Sequence, residues 1–260
     1  MAKVCSKTGF ALVQAPALAF RVSSTTYGPL NPPERTGATG VEKWSRFDTF
    51  GRTIYMAESK VTAFMELLAP YRIEIDGKRS ALQPLADAMR MDLAAYWELV
   101  LDDWDLDPVK GEFWLPSNFR RNRAVYELEF PNGWWIDLTA TESISALHKL
   151  FDNKWQTSAG IKTQPLTRSD LESDDRTLTT SIAQGIRSRV ILEDGSRPLG
   201  VKFDSKHGSP AGESGACWAY WMRELDLGRK EPARIITETP IAAADPDLLK
   251  AQRLSGLRMH

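Results

Sequence analysis

Cysteine and histidine are scarce in this chain. Its 260 residues hold two cysteines, Cys5 and Cys217, and three histidines, His148, His207 and His260. Two cysteines cannot build a disulfide framework. The histidines are far apart, and neither His-Glu-x-x-His nor Cys-x-x-Cys occurs, so no metal site is expected. A charge excess is also missing: 33 Lys and Arg against 34 Asp and Glu leave a net charge of −1. A nucleic-acid binder would show a basic surplus. No apolar run approaches the about 18 residues of a membrane-spanning helix. The opening Met1–Lys7 lacks the apolar core of a signal peptide, so a cytoplasmic protein with no membrane contact and no direct nucleic-acid contact is expected. Both glycine-rich phosphate loops, Gly-x-x-x-x-Gly-Lys-Ser/Thr and Gly-x-Gly-x-x-Gly, are absent. Gly212-Glu213-Ser214-Gly215 lacks the spacing of a nucleophile elbow.

What remains is an ordinary globular composition, 42% hydrophobic and 26% charged. The clearest periodicity lies in Glu58–Leu68, where Val61, Phe64, Met65 and Leu68 form one apolar stripe of a helix. A strand, Thr53–Met56, precedes it, and before that runs a Gly/Pro-rich loop from about Tyr27 to Gly40. A second helix is expected over Leu82–Asp103. Strands at Ala124–Phe130 and Trp134–Leu138, joined by Pro131-Asn132-Gly133, carry a hairpin signal. Helices are expected from Thr141 to about Phe151 and over Arg176–Val190, with a polar stretch between Asp152 and Asp175. Strands are expected at Leu199–Phe203, Ala216–Trp221 and, as the last, Ile235–Thr237. The irregular interleaving favours an α+β fold over a parallel α/β sheet.

A few polar residues border these elements. Arg21 closes Leu18-Ala19-Phe20. Arg46 sits in Trp44-Ser45-Arg46-Phe47, and Tyr55 lies inside a strand. Glu66 is turned about 150° from the apolar stripe of its helix, at about 100° per residue. Ser205 ends Val201-Lys202-Phe203. Each has a plain structural reading: surface arginines, a solvated glutamate, a turn-forming serine. By themselves they define a soluble α+β enzyme or binding domain and no more. Cys217, in an apolar strand, reads as a buried inert thiol.

Taken in order, the segments around these residues resemble the RES domain, a family named for an Arg, a Glu and a Ser. The first block is Phe20-Arg21-Val22 followed by a loop with Pro29-Leu30. The second runs Arg46-Phe47-Asp48-Thr49-Phe50-Gly51-Arg52-Thr53-Ile54-Tyr55-Met56-Ala57-Glu58-Ser59, then Thr62-Ala63-Phe64-Met65-Glu66. The third is Gly200-Val201-Lys202-Phe203-Asp204-Ser205-Lys206, leading to the strand Cys217–Trp221. The second block is the most specific. The family's Gly-Gly before the Arg-aromatic pair is Trp44-Ser45 here. The longer interval between Glu66 and Ser205 implies a single RES-like domain over 1–260 with a helical insertion at about 78–120.

The resemblance implies an ADP-ribosyltransferase-like mixed sheet with flanking helices. It also implies a toxin that cleaves the nicotinamide–ribose bond of NAD⁺, held inactive by a helix-turn-helix (Xre-type) antitoxin and able to form an oligomer. NAD⁺ is then a substrate, and no cofactor or metal is called for. Catalytic roles fall to Glu66, Arg21 and Ser205, and substrate binding to Arg46, Tyr55 and Tyr27, with Tyr55 preferred over Tyr27 as the aromatic beside nicotinamide. Two alternatives share the site: mono-ADP-ribosyl transfer to a protein or small molecule, and a catalytically silent NAD-binding domain.

Overall fold

One nine-stranded mixed sheet organises the chain. The computed structural model describes residues 2–16, 18–71, 82–106, 114–115, 118–223 and 233–259. In chain order the strands are β1 (Ala2–Val4), β2 (Ala11–Gln14), β3 (Ala19–Ser24), β4 (Arg52–Ala57), β5 (Trp114–Leu115), β6 (Arg123–Glu129) and β7 (Trp134–Asp137). They continue with β8 (Trp155–Thr157), β9 (Gly160–Lys162), β10 (Gly200–Asp204), β11 (Ala216–Met222), β12 (Arg234–Pro240) and β13 (Arg258–Met259). The α-helices are α1 (Lys60–Leu68), α2 (Gln83–Ala88), α3 (Leu93–Leu106), α4 (Asn118–Arg121), α5 (Thr141–Leu150), α6 (Arg168–Glu172), α7 (Arg176–Arg189) and α8 (Pro246–Ser255). The large sheet runs β1-β2-β7-β10-β11-β4-β3-β6-β12, and β13-β5 and β8-β9 form two small ribbons. The β7–β10 pair is parallel, which makes the sheet mixed. The fold is α+β, as expected.

The hairpin expected at Pro131-Asn132-Gly133 does not form. β6 pairs with β3 and β12, whereas β7 pairs with β2 and β10. The two strands stand five positions apart in the sheet, which on a flat sheet would be about 24 Å at about 4.8 Å per strand. The five residue steps from Glu129 to Trp134 reach only about 18 Å. The sheet therefore curls. A twist of about 20–25° per strand also turns β7 by roughly 100° relative to β6 over five steps. The chain leaves β6 at a corner instead of folding back. Gly133 makes the corner tight, since a Cβ there would lie 2.6 Å from the Leu199 side chain.

The curl explains an otherwise odd core. Ile54, Met56, Tyr126, Leu128, Phe130, Trp135, Trp218 and Tyr220 form one buried cluster drawn from the sheet's own strands and the β6–β7 corner. Phe130 meets both Trp135 and Tyr220 at ring separations of 5.9 and 5.0 Å. The opposite face is covered by helices: Val201, Phe203, Cys217, Ala219 and Trp221 pack with Leu147 of α5 and with Ile182 and Ile186 of α7. β11 thus buries side chains on both faces, which is why it reads as an unbroken apolar run rather than an alternating one. A third cluster joins Val61, Phe64, Met65 and Leu68 of α1 to Leu248 and Ala251 of α8.

Other expectations need correction. The helix expected over Leu82–Asp103 is two helices. Arg90 adopts φ 55°, and the Met91 amide bonds back to the Ala86 carbonyl at 3.0 Å, a left-handed helix end. Asp92 then opens α3 by accepting from the Ala94 amide at 2.9 Å. Of the expected insertion at about 78–120, residues 78–81, 107–113 and 116–117 lie outside the described residues. The polar stretch 152–175 contains the β8–β9 ribbon and α6, which is opened by a Thr167–Asp170 capping box. Ile235–Thr237 is not the last strand: α8 and β13 follow. The signals for α8 were plain, with Asp245 as N-cap, Pro246 at its start and Gly256 left-handed at its end.

Candidate functional site

α1 is built so that one polar residue can leave its buried face. Ser59 caps the helix by accepting from the Thr62 amide at 3.1 Å. The fully buried Thr62 donates its hydroxyl to the Ser214 carbonyl at 2.8 Å, which sets the helix's rotation. Glu66, four residues on, projects from the same side. The apolar stripe of Val61, Phe64, Met65 and Leu68 faces α8.

On that polar side the Ser205 hydroxyl donates to Glu66 Oε1 at 2.5 Å. Ser205 is fixed in turn. Its amide bonds the Gly215 carbonyl at 2.9 Å, extending the β10–β11 ladder, and its Oγ accepts from the His207 amide at 3.2 Å. Two residues 139 positions apart are thus joined in one hydrogen bond.

Glu66 borders a cleft of about 640 Å³, which Arg21, Arg46, Tyr55, Phe203, Arg176, Lys206 and His207 also line. That volume is in the range of small-molecule sites, about 300–1,000 Å³. Arg21, from β3, donates Nη1 to the Tyr55 carbonyl at 2.8 Å, while its Nε is buried with no hydrogen-bond partner among the described residues. Burial lowers its pKa to about 10, with the neighbouring Tyr55 and Asp48 opposing that shift.

Arg46 is held by its neighbours. The Phe47 amide donates to the Tyr55 hydroxyl at 2.9 Å, and Trp221 Nε1 donates to the Phe47 carbonyl at 3.1 Å. Asp48 accepts from Arg35 at 2.7 Å and from the Ser45 amide at 2.9 Å. This loop therefore has little freedom. Arg46 is 7% exposed, with its guanidinium over the Phe203 ring at 5.1 Å and Nη1 without a partner among the described residues.

Tyr55 contributes its ring to the cleft wall, while its hydroxyl is committed inside the fold. Burial, and next the Asp48 charge, push its pKa well above the ordinary value. Cys217 also lines the cleft, and burial, followed by the Glu66 charge, raises its thiol well above the ordinary range. A protonated, unreactive thiol results.

The fold therefore lines one cleft with Arg21, Arg46, Tyr55 and Glu66; Ser205 is not part of the cleft wall and joins them through its hydrogen bond to Glu66. It does not bring Tyr27 to them: that residue is 70% exposed and is not part of the cleft wall. Tyr27 sits in the turn after β3, pointing its ring to solvent, because the chain must leave the sheet there.

Sequence reasoning missed the cationic mouth. Arg176 opens α7, with Nη2 bonding Asp174 at 3.1 Å and Nη1 buried without a partner among the described residues. Lys206 bonds the same Asp174 carboxylate. The Lys206 hydrogen bond does most to hold the Asp174 pKa below the usual carboxylate value; burial opposes it, and the charges of Arg176 and Arg46 add to it. The one available signal for Lys206 was its place beside Ser205. Arg176 read only as a helix start.

Among the described residues no group of three or more His, Cys, Asp or Glu side chains is placed to hold a metal ion, and no helix is long and apolar enough to cross a membrane. No protein-family model and no curated protein matches the chain. Among solved structures, a chain of the M. tuberculosis MbcT-MbcA toxin-antitoxin complex is similar, with 10% identity and a TM-score of 0.45 over 94% of this chain and 92% of that one.

Proposed function

We propose that this chain is a RES-type NAD⁺ glycohydrolase, which releases nicotinamide from NAD⁺ by attack of water on the ribose C1′. The observation that carries the reading is the Ser205–Glu66 hydrogen bond at a cleft bearing buried guanidinium groups whose N–H donors include some without a partner among the described residues. The nicotinamide–ribose bond breaks through an oxocarbenium-like ribose, and a nearby carboxylate stabilises that cation. Glu66 supplies the carboxylate and can accept from the ribose hydroxyls. Nicotinamide leaves as a neutral molecule and needs no acid. Water adds its oxygen to C1′, and one proton is released to solvent with ADP-ribose.

Ser205 holds the Glu66 carboxylate in one orientation. Arg21 and Arg46 offer their spare N–H groups to the diphosphate or ribose as charge-assisted hydrogen bonds. The Tyr55 ring borders the nicotinamide. On the sequence resemblance, an Xre-type antitoxin is the proposed protein partner, one that keeps the cleft from NAD⁺.

The test is nicotinamide release from NAD⁺, followed by chromatography, with circular dichroism to show that variants fold. Glu66→Gln should lose at least about a hundredfold in rate, the scale of a removed electrostatic stabiliser. A Gln variant that consumes NAD⁺ at the normal rate ends the role given to Glu66. Adenine-labelled NAD⁺ in lysate separates the related chemistry: label on protein bands would assign ADP-ribosyl transfer instead of hydrolysis.

A further inference from the structure

Arg176, Lys206 and Asp174 have no part in the chemistry above, yet two of them line the same cleft. Three observations converge on this end of it. Arg46 lines the cleft, is 7% exposed, and has an Nη1 without a partner among the described residues. Arg176 likewise keeps a buried Nη1 unpartnered among the described residues. Both Arg176 and Lys206 are engaged by a single carboxylate, Asp174, whose side chain is 72% exposed. A buried guanidinium N–H without an acceptor is costly, and an exposed carboxylate is a weak, displaceable partner. Arg176 also begins α7, whose N-terminus is already capped by the Asp175 carboxylate, which accepts from the Leu178 amide at 3.0 Å; a ligand here meets the side chains and not the helix end.

We infer that Arg46, Arg176 and Lys206 form a subsite for the diphosphate of a nucleotide, and that Asp174 is a built-in competing anion which the diphosphate displaces. The subsite deepens the proposed function, since it would seat the diphosphate of NAD⁺ in the cleft that Glu66 borders. Two adjacent phosphates suit it better than one. They present enough oxygens to meet the spare N–H of both arginines and the Lys206 ammonium at once.

The probe is ADP, which has a diphosphate and no nicotinamide bond, titrated by calorimetry at fixed ionic strength with inorganic phosphate as the second arm. Arg176→Gln should weaken ADP binding about tenfold, the worth of one charge-assisted hydrogen bond. Asp174→Asn should tighten it about threefold, in keeping with loss of an exposed ion pair. The KM for NAD⁺ should follow both changes while kcat moves little. Asp174 is exposed, so its variant is expected to fold, and Arg176→Lys, which keeps the charge, should recover part of the affinity. ADP affinity unchanged in Arg176→Gln, or unchanged or weakened in Asp174→Asn, overturns the subsite. Inorganic phosphate binding as tightly as ADP overturns its assignment to a nucleotide. The two readings fail separately: ADP binding that obeys these changes without nicotinamide release leaves the subsite standing and removes the glycohydrolase. Nicotinamide release with a KM indifferent to both residues does the reverse.

Discussion

The two ends of the cleft are built on opposite terms. At the carboxylate end the fold already pairs Glu66 with Ser205, Arg21 Nη1 with the Tyr55 carbonyl, and the Tyr55 hydroxyl with the Phe47 amide, while Arg21 Nε has no partner among the described residues. At the cationic mouth Arg46 and Arg176 each keep an Nη1 without a partner among the described residues, and Arg176 and Lys206 share the exposed Asp174. A prearranged end costs little reorganisation when charge develops in a transition state. An unsatisfied end gains most when a ligand arrives. On the proposed reading, chemistry falls to one end and ligand capture to the other.

The hardest test of that division is Glu66→Gln. It should cut nicotinamide release at least about a hundredfold, close to 3 kcal/mol of transition-state stabilisation, yet leave ADP affinity within about twofold. A matching loss of ADP affinity would mean that the two ends are not separate. Next comes Gly200→Ala. A Cβ there would lie 1.9 Å from the Ala219 carbonyl and 2.8 Å from the Trp135 ring. The β10–β11 pair must shift, for a loss of about 2–3 kcal/mol in urea unfolding. Because β10 delivers Ser205, kcat should fall as well; an unchanged midpoint would show that the strand is not so closely packed.

Ser205→Ala should lower kcat about tenfold, the worth of one hydrogen bond to a charged group, with little change in KM. An effect on KM alone would place Ser205 in binding and blur the comparison.

The smallest effect serves as a control at a residue that does not line the cleft. Asp137 on β7 accepts from Lys202 at 2.9 Å and from the Thr139 hydroxyl at 2.6 Å. Burial by itself would raise its pKa, but those bonds outweigh it and bring the value below the ordinary 3.8. A carboxyl depressed in the folded state stabilises above its unfolded pKa and loses that contribution as pH falls through the folded one. Asp137→Asn should therefore cost about 1 kcal/mol at pH 7. The gap from wild type should close as pH drops below about 4, and nicotinamide release should not change. A gap that persists unchanged at pH 2 would mean that the charge is not what stabilises this site.

Local pattern was enough wherever the physics is local. The stripe of Val61, Phe64, Met65 and Leu68 announced α1 and placed Glu66 on the opposite side, and the apolar run Ala216–Trp221 announced β11. The Arg21, Arg46, Tyr55, Glu66 and Ser205 set was legible only because their flanking segments resemble a family, since each residue alone has a structural explanation. Sheet order was not legible. Pro131-Asn132-Gly133 has the composition of a hairpin turn, and only the curl of nine strands sends β7 elsewhere. Arg176 was invisible because a basic residue at a helix start usually faces water.

Residue order thus determined that Lys60–Leu68 and Arg176–Arg189 are helices, that Ala216–Met222 is a strand, and which side of α1 carries a carboxylate, because spacing, capping and turn chemistry act over a few residues. Tertiary structure decided which strands are neighbours, that Ser205 reaches Glu66, that Tyr27 stays in solvent, and that Arg176 and Lys206 share one anion. Those outcomes depend on twist and burial summed over the whole sheet, and no short stretch of chain contains that sum.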